Sequence, residues 1–253
     1  MMNRFELKSM RELKRAELVD VIRNTEFLTS RERAHYPFAP IKRSIIAEIK
    51  KSSPGGTINP TVSVADQATA YEKGGAAAIS VLTDSNFFSG SYRDLAATAS
   101  RVTIPVLCKE FIYFTEQIDL AYLCGADMVL LIAQSLTFRE LETLHNYALD
   151  KNMQPVIEIN KAEEINRVMM LDPGIVMVNN RDLNTLAIDI DGGIEVLKSV
   201  PDTCVRIAAS GISKRDEITR ITSQCGVFTF LVGSSIMKSG APSRMIQELS
   251  GVD

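Results

Sequence analysis

From position 44 onward, short runs of β-branched and aliphatic residues alternate with amphipathic or alanine-rich segments. The runs cover 44–50, 76–82, 105–110, 127–133, 155–159, 175–180, 205–210 and 227–233. Segments 62–73, 92–101, 116–123, 137–151, 162–170, 193–198, 214–222 and 243–249 follow them in turn and read as helices. In the fourth of these, Leu141, Leu144 and Ala148 share one face at helical spacing, while Glu140, Glu142 and Asn146 fall elsewhere. Several runs are apolar on both faces, as strands covered on both sides must be. Strand then helix, eight times over, predicts an α/β fold of the closed parallel kind, the (β/α)8 or TIM barrel. An open doubly wound sheet is the competing architecture, but the units are near-uniform and no GxGxxG follows any strand.

Punctuation agrees with this count. Gly74, Gly75, Gly125 and Gly174 fall just before strands, where a helix C-cap or an αβ turn favours glycine. Ahead of the first strand, 7–24 is charged and amphipathic enough for one or two extra helices. Pro37, Pro40, Lys42 and Arg43 then form a short linker. The expectation is one barrel domain over 1–253, with 1–43 as an N-terminal helical extension that could cap one end.

Composition narrows the function classes. The chain has 253 residues, 45% of them hydrophobic, a size at which α/β barrels are single units. With 31 acidic against 28 basic residues the net charge is −3, so no global basic field draws nucleic acid or anionic lipid. Any phosphate must be met locally. The longest apolar stretch, 128–133, is far below the roughly 18 residues of a membrane span, and the N-terminal stretch lacks the apolar centre of a secretory signal. A cytoplasmic protein is expected. Cys108, Cys124, Cys204 and Cys225 are scattered and His35 and His145 isolated, which predicts free thiols and no metal site.

In a barrel, chemistry sits at the C-terminal ends of the strands. The first run delivers Glu48 and Lys50, two residues apart and so on one face, able to pair and hold each other charged, followed by Ser52, Ser53, Pro54, Gly55 and Gly56. The third run ends with Lys109 beside Phe111. Glu158 interrupts an otherwise apolar fifth run, where it must pair with a cation such as Lys50 or Lys109 or act as a tuned acid or base. The sixth run ends with Asn179, Asn180, Arg181 and Asp182. Ser210-Gly211 and Gly233-Ser234 end the last two runs, where barrels commonly hold phosphate on backbone N–H groups. With Lys50 and Ser53 they suggest a phosphate cradle.

These residues also carry a resemblance. The segments are Glu48-x-Lys50-x-x-Ser53-Pro54, Leu82-Thr83-Asp84-x-x-Phe87-Phe88-x-Gly90-Ser91, Lys109-Glu110-Phe111-Ile112 and Gly125-Ala126-Asp127-x-Val129-Leu130-Leu131-Ile132. Glu158-Ile159-Asn160, Asn179-Asn180-Arg181-Asp182-Leu183, Ser210-Gly211-Ile212 and Gly233-Ser234-Ser235 complete the set. In this order and spacing the sequence resembles the indole-3-glycerol phosphate synthase family over about 44–237, with motifs on all eight strands.

The resemblance implies ring closure of 1-(o-carboxyphenylamino)-1-deoxyribulose 5-phosphate, with loss of carbon dioxide and water, in tryptophan biosynthesis. It implies no metal and no organic cofactor, a small phosphorylated substrate, and other enzymes of that pathway as conceivable partners. It makes Lys109 the general acid and Glu158 the acid/base of dehydration, assisted by Glu48 and Lys50. Lys50, Ser53, Gly211, Gly233 and Ser234 would hold phosphate, and Asn179, Arg181 and Ser210 would position substrate. Phe88, Phe111 and Leu130 would wall the anthranilate ring; by sequence alone Phe88 and Leu130 read as core.

One position departs from the family. Where a glutamate is usual on the seventh strand, this chain has Ala209, which predicts a slower enzyme. Gly55 also stands where serine is frequent. Two other readings stay open at this point. One is a different phosphosugar barrel enzyme, such as an isomerase or a Schiff-base aldolase using Lys50 or Lys109. The other is a barrel that binds a phosphorylated ligand without catalysis.

Overall fold

The computed structural model describes residues 7–25, 30–40, 43–53, 56–58, 63–183 and 185–251. Lys42 of the linker, Pro54 and Gly55 of the loop after the first strand, and position 62 of the first barrel helix lie outside the described residues.

The eight apolar runs form eight parallel strands: β1 (Ser44–Ile49), β2 (Ala78–Leu82), β3 (Val106–Lys109), β4 (Met128–Ile132), β5 (Gln154–Ile159), β6 (Ile175–Asn179), β7 (Val205–Ala209) and β8 (Thr229–Val232). Each pairs with its neighbours in sequence, and β1 closes the ring on β8 through Ser44 opposite Thr229 and Ala47 opposite Val232. Nearly every strand residue is buried, because helices cover the outside and side chains fill the inside.

A helix follows each strand: α2 (Val64–Lys73), α3 (Tyr92–Ala99), α4 (Thr115–Leu123), α5 (Phe138–Asp150), α6 (Ile165–Met169), α7 (Ile190–Ser199), α8 (Arg215–Cys225) and α9 (Pro242–Ser250). Their starts have local causes. In α5 the Thr137 hydroxyl accepts from the Glu140 N–H while the Glu140 carboxylate accepts from the Thr137 N–H, a reciprocal capping box. The Asp189 carboxylate caps α7 at the Gly192 N–H. Gly75 and Gly125 take the positive φ that turns the chain into β2 and β4. Before β6 the left-handed residue is Asp172, two positions ahead of Gly174.

Among the described residues the extension holds one helix, α1 (Leu7–Thr25), lying beside the loops that leave β2 and β3. The strap formed by 30–40 lies at the opposite end of the barrel. There Arg31 and Arg33 both pair with the buried Asp127 carboxylate, just before β4, and the Phe38 N–H donates to the Gln154 side chain at the start of β5. His35, expected to be isolated, belongs to this cluster, with Nδ1 3.2 Å from Asp127 Oδ1. The four cysteines are free thiols. Among the described residues no helix is long and apolar enough to cross a membrane.

Candidate active site

A cavity of about 370 Å3 opens at the C-terminal ends of the strands, and every residue the sequence assigned to the site lines it. On β1 the alternation works as expected: Ile49 is buried in the core, while Glu48 and Lys50 both face the cavity, with Lys50 Nζ 2.8 Å from Glu48 Oε1. Across the mouth, Lys109 at the end of β3 lies 3.4 Å from Glu158 Oε2 on β5. The other Glu158 oxygen accepts from Asn179 Nδ2 at 3.1 Å. The carboxylate that interrupts the fifth apolar run therefore has a cation and an amide as partners, as a buried charge requires.

The electrostatics follow from this arrangement. Burial pushes the Glu48 carboxyl up, but the ammonium groups of Lys50 and Lys109 outweigh it and hold Glu48 below the usual carboxylate range. Burial works against the charge on Lys109, and the Glu158 and Glu48 carboxylates more than compensate, raising it above an ordinary lysine. At neutral pH the mouth therefore contains a protonated Lys109 between two acidic side chains, one of them, Glu48, firmly ionised.

The remaining walls divide into two sides. Phe88, Phe111 and Leu130, from the loops after β2 and β3 and from β4, form the apolar side, with the two rings tilted at 31° and their centroids 6.5 Å apart. The opposite side is the seam where β7, β8 and β1 meet. Here Gly233 has a reason to be glycine, since a Cβ would fall 2.4 Å from Glu48 Oε1 and 3.0 Å from Lys50 Nζ. Ser210 and Gly211 both take positive φ, turning the chain sharply out of β7, and a Cβ on Gly211 would meet Ile188 at 2.7 Å. Ser53 sits in a short antiparallel hairpin (Ser52–Ser53 with Gly56–Thr57) at the rim, where its hydroxyl donates to the Gly56 carbonyl.

Arg181 reaches the cavity and also holds its own loop, because Nη1 donates to the Leu186 carbonyl at 2.8 Å and its backbone bridges to Ile188. That loop brings Leu183, Leu186 and Ile188 into the wall, which the sequence reading missed. Two asparagines were missed as well. Asn160 Nδ2 donates to the carbonyls of Asn179 and Arg181, and Asn180 Nδ2 donates to the Ser210 carbonyl, so each ties neighbouring strand ends together. Both stand in segments that carry the resemblance, Glu158-Ile159-Asn160 and Asn179-Asn180-Arg181, but were given no role there.

Comparison with known proteins bears on this mouth. A sequence model of indole-3-glycerol phosphate synthase matches residues 8–249. The indole-3-glycerol phosphate synthase of Bacillus cereus is 36% identical over 235 residues, 92% of either chain, and that of an Exiguobacterium species is 39% identical over 206 residues, 81% of either chain. Among solved structures, a 3-hexulose-6-phosphate synthase superposes with a TM-score of 0.64 at 15% identity, covering 83% of this chain and 99% of its own. An N-acetylmannosamine-6-phosphate 2-epimerase from Clostridium perfringens gives 0.62 at 16%, covering 89% and 100%. The two structures share the barrel, and the sequence relatives share much more over nearly the whole length: the chain belongs to the indole-3-glycerol phosphate synthase family.

Proposed function

We propose that the chain closes the indole ring of 1-(o-carboxyphenylamino)-1-deoxyribulose 5-phosphate, releasing carbon dioxide and water, with Lys109 as the proton donor. The supporting observation is the mouth itself, where a protonated lysine between two carboxylates lies close to an aromatic wall, with a cationic, glycine-lined seam opposite. The anthranilate ring lies against Phe88, Phe111 and Leu130. The phosphate lies at the seam, on Lys50, Ser53 and the backbone N–H groups of Gly211, Gly233 and Ser234.

Between these ends the ketone carbonyl faces Lys109. When the aromatic carbon attacks it, negative charge grows on the carbonyl oxygen, and an ammonium already in place lowers the barrier by field and by proton donation. The carbon–carbon bond forms, the proton moves from Lys109 to oxygen, and the ring nitrogen is left as an iminium. Carbon dioxide then departs with its bonding electrons drawn into that iminium, a step that asks little of the protein. Dehydration needs an acid for the leaving hydroxyl and a base for the ring proton. Glu158, held between Lys109 and Asn179, serves there, with Glu48 assisting proton return. Asn179, Arg181 and Ser210 position the substrate. Ala209 leaves one wall without an acidic group, and the turnover is correspondingly slower.

The test is to add the carboxyphenylamino-deoxyribulose phosphate to purified protein without added metal and follow indole fluorescence, which the absence of Trp in the chain leaves unobscured. Product from the parent chain and none from Lys109→Ala is the expected result. Ligand binding without product would overturn the catalytic reading.

A further inference from the structure

The basic face of α1 lies on the loop that follows the catalytic lysine. Arg11 stands 4.9 Å from the Tyr113 ring centroid and Arg15 4.4 Å from that of Phe114, and between them Lys14 lies 5.8 Å from the Phe111 ring. Lys14 is the buried member of this face, at 3% exposure. Its Nζ lies 2.9 Å from Glu110 Oε1 and 2.9 Å from Glu17 Oε2, and it also pairs closely with Asp84. Asp84 and Glu110 are themselves buried.

Each of these carboxylates seats one ring of the apolar wall. Asp84 caps the single turn Ser85–Phe88, accepting from the Phe87 N–H at 2.6 Å, and so fixes where Phe88 projects. Glu110 directly follows Lys109, accepts from the Phe111 N–H at 2.7 Å and from the Thr83 hydroxyl at 2.8 Å, and so fixes Phe111. Two buried carboxylates this close repel unless a cation lies between them. Lys14 is that cation, supplied from outside the barrel.

We propose that Lys14 is a positioning residue of the active site, its ammonium joining Asp84 to Glu110 and thereby holding the Phe88 and Phe111 rings at the spacing the substrate's aromatic ring needs. This rests on the assignment of those rings to the anthranilate side. The phosphate seam is built at the ends of β7, β8 and β1 and meets the Ser85–Phe88 turn at its rim, where the Ser52 hydroxyl donates to the Phe87 carbonyl at 3.3 Å, so the phosphate end of the substrate is expected to respond less to the loss of Lys14 than the ring end.

Lys14→Met keeps most of the length of the side chain and removes its charge, at a place bordered by a cavity of about 310 Å3 lined also by Glu17 and Tyr92. In the folded variant the substrate KM is expected to rise roughly tenfold, with kcat falling less and the inhibition constant of inorganic phosphate changing less than about twofold. Lys14→Arg restores KM to within about threefold. If Lys14→Met does not fold, Lys14→Met/Glu110→Gln removes the cation together with one of its buried carboxylates, and KM is again expected to be raised. Unchanged KM in a folded variant lacking the cation overturns the proposal. So does a parallel loss of substrate and phosphate affinity, which would mark a general loosening. Phe111→Ala separates the two levels: if it leaves KM unchanged, the ring assignment fails; if it raises KM and Lys14→Met does not, only the role of Lys14 fails.

Discussion

Glu48 and Lys109 show how a barrel mouth fixes protonation states before any substrate arrives. Glu48 is buried and Lys109 partly so, and burial works against the charge on each; each stays charged because the other and its immediate neighbours are charged. Glu48 titrates below its ordinary value of 4.5 and Lys109 above its ordinary value of 10.5. Neither group then produces a limb in kcat/KM between about pH 6 and 9. A limb inside that window that moves in Lys109→Arg would contradict the assignment. Linkage to stability has the matching signs: Lys109 contributes below its unfolded pKa and loses the contribution as pH rises through its raised folded value, while Glu48 contributes above its unfolded pKa and loses it as pH falls through its lowered one. At Ala209 the argument concerns what is missing. Its side chain lines the cavity between Asn179 and Leu231 in the strand register, so a carboxylate there would face the substrate. Ala209→Glu is expected to raise kcat about ten- to a hundredfold, the worth of one charge-assisted interaction of about 1.5–3 kcal/mol in the transition state, as steady-state kinetics would show. The charged residues were legible in the sequence because a charge within an apolar run is costly. The aromatic wall was not, since a phenylalanine facing a ligand and one facing the core have the same local pattern.

Elements differ in how openly the chain declares them. The eight strands and their helices follow from period and punctuation, and their observed bounds lie within a few residues of the predicted ones. The short pieces escaped: the turn Ser85–Phe88, the rim hairpin and the one-turn helix Ser234–Lys238 are too brief to show a hydrophobic period. Tertiary contacts help set their form, as when Lys14 of α1 holds the buried Asp84 whose carboxylate caps the first of them. The strap of the extension is a stronger case. Arg31 and Arg33 are separated from Asp127 by more than a third of the chain, yet their guanidinium groups pair with it, and Asp127 also accepts from the Tyr36 and Val106 N–H groups at 3.0 and 2.9 Å. No local pattern reveals such a meeting. Asp127→Ala leaves two largely buried guanidinium groups without their carboxylate, which should cost about 3–5 kcal/mol. At roughly 2–4 °C per kcal/mol for a chain of this size, the thermal midpoint should fall by about 6 °C or more. The cluster lies at the end of the barrel away from the mouth, so kcat per folded molecule stays at the parent value. A loss of kcat without loss of midpoint would show that the strap acts on the site.

At the scale of the whole molecule, closure of the ring and construction of the proposed phosphate side are the same event. β1 and β8 are the first and last barrel strands, and only when they pair do Lys50 and Glu48 come against Gly233. An anion bound across that seam therefore binds the closed barrel and not the open chain, and it stabilises the fold by mass action. At a ligand concentration of about 100 Kd the gain is about 2.7 kcal/mol, enough to raise the midpoint by about 5–10 °C. Indole-3-glycerol phosphate, the product, is a suitable probe because it carries both the ring and the phosphate. Gly233→Ala tests the seam directly. The added Cβ would fall 2.4 Å from Glu48 Oε1 and 3.0 Å from Lys50 Nζ, so the ends of these two side chains must shift from their present positions. The variant is expected to have a somewhat lower midpoint without ligand and to lose most of the ligand-induced rise, while Phe111→Ala, altered only on the apolar side, keeps the rise produced by inorganic phosphate. A full ligand-induced rise in Gly233→Ala would place the phosphate elsewhere in the mouth and detach anion binding from the closure of the ring.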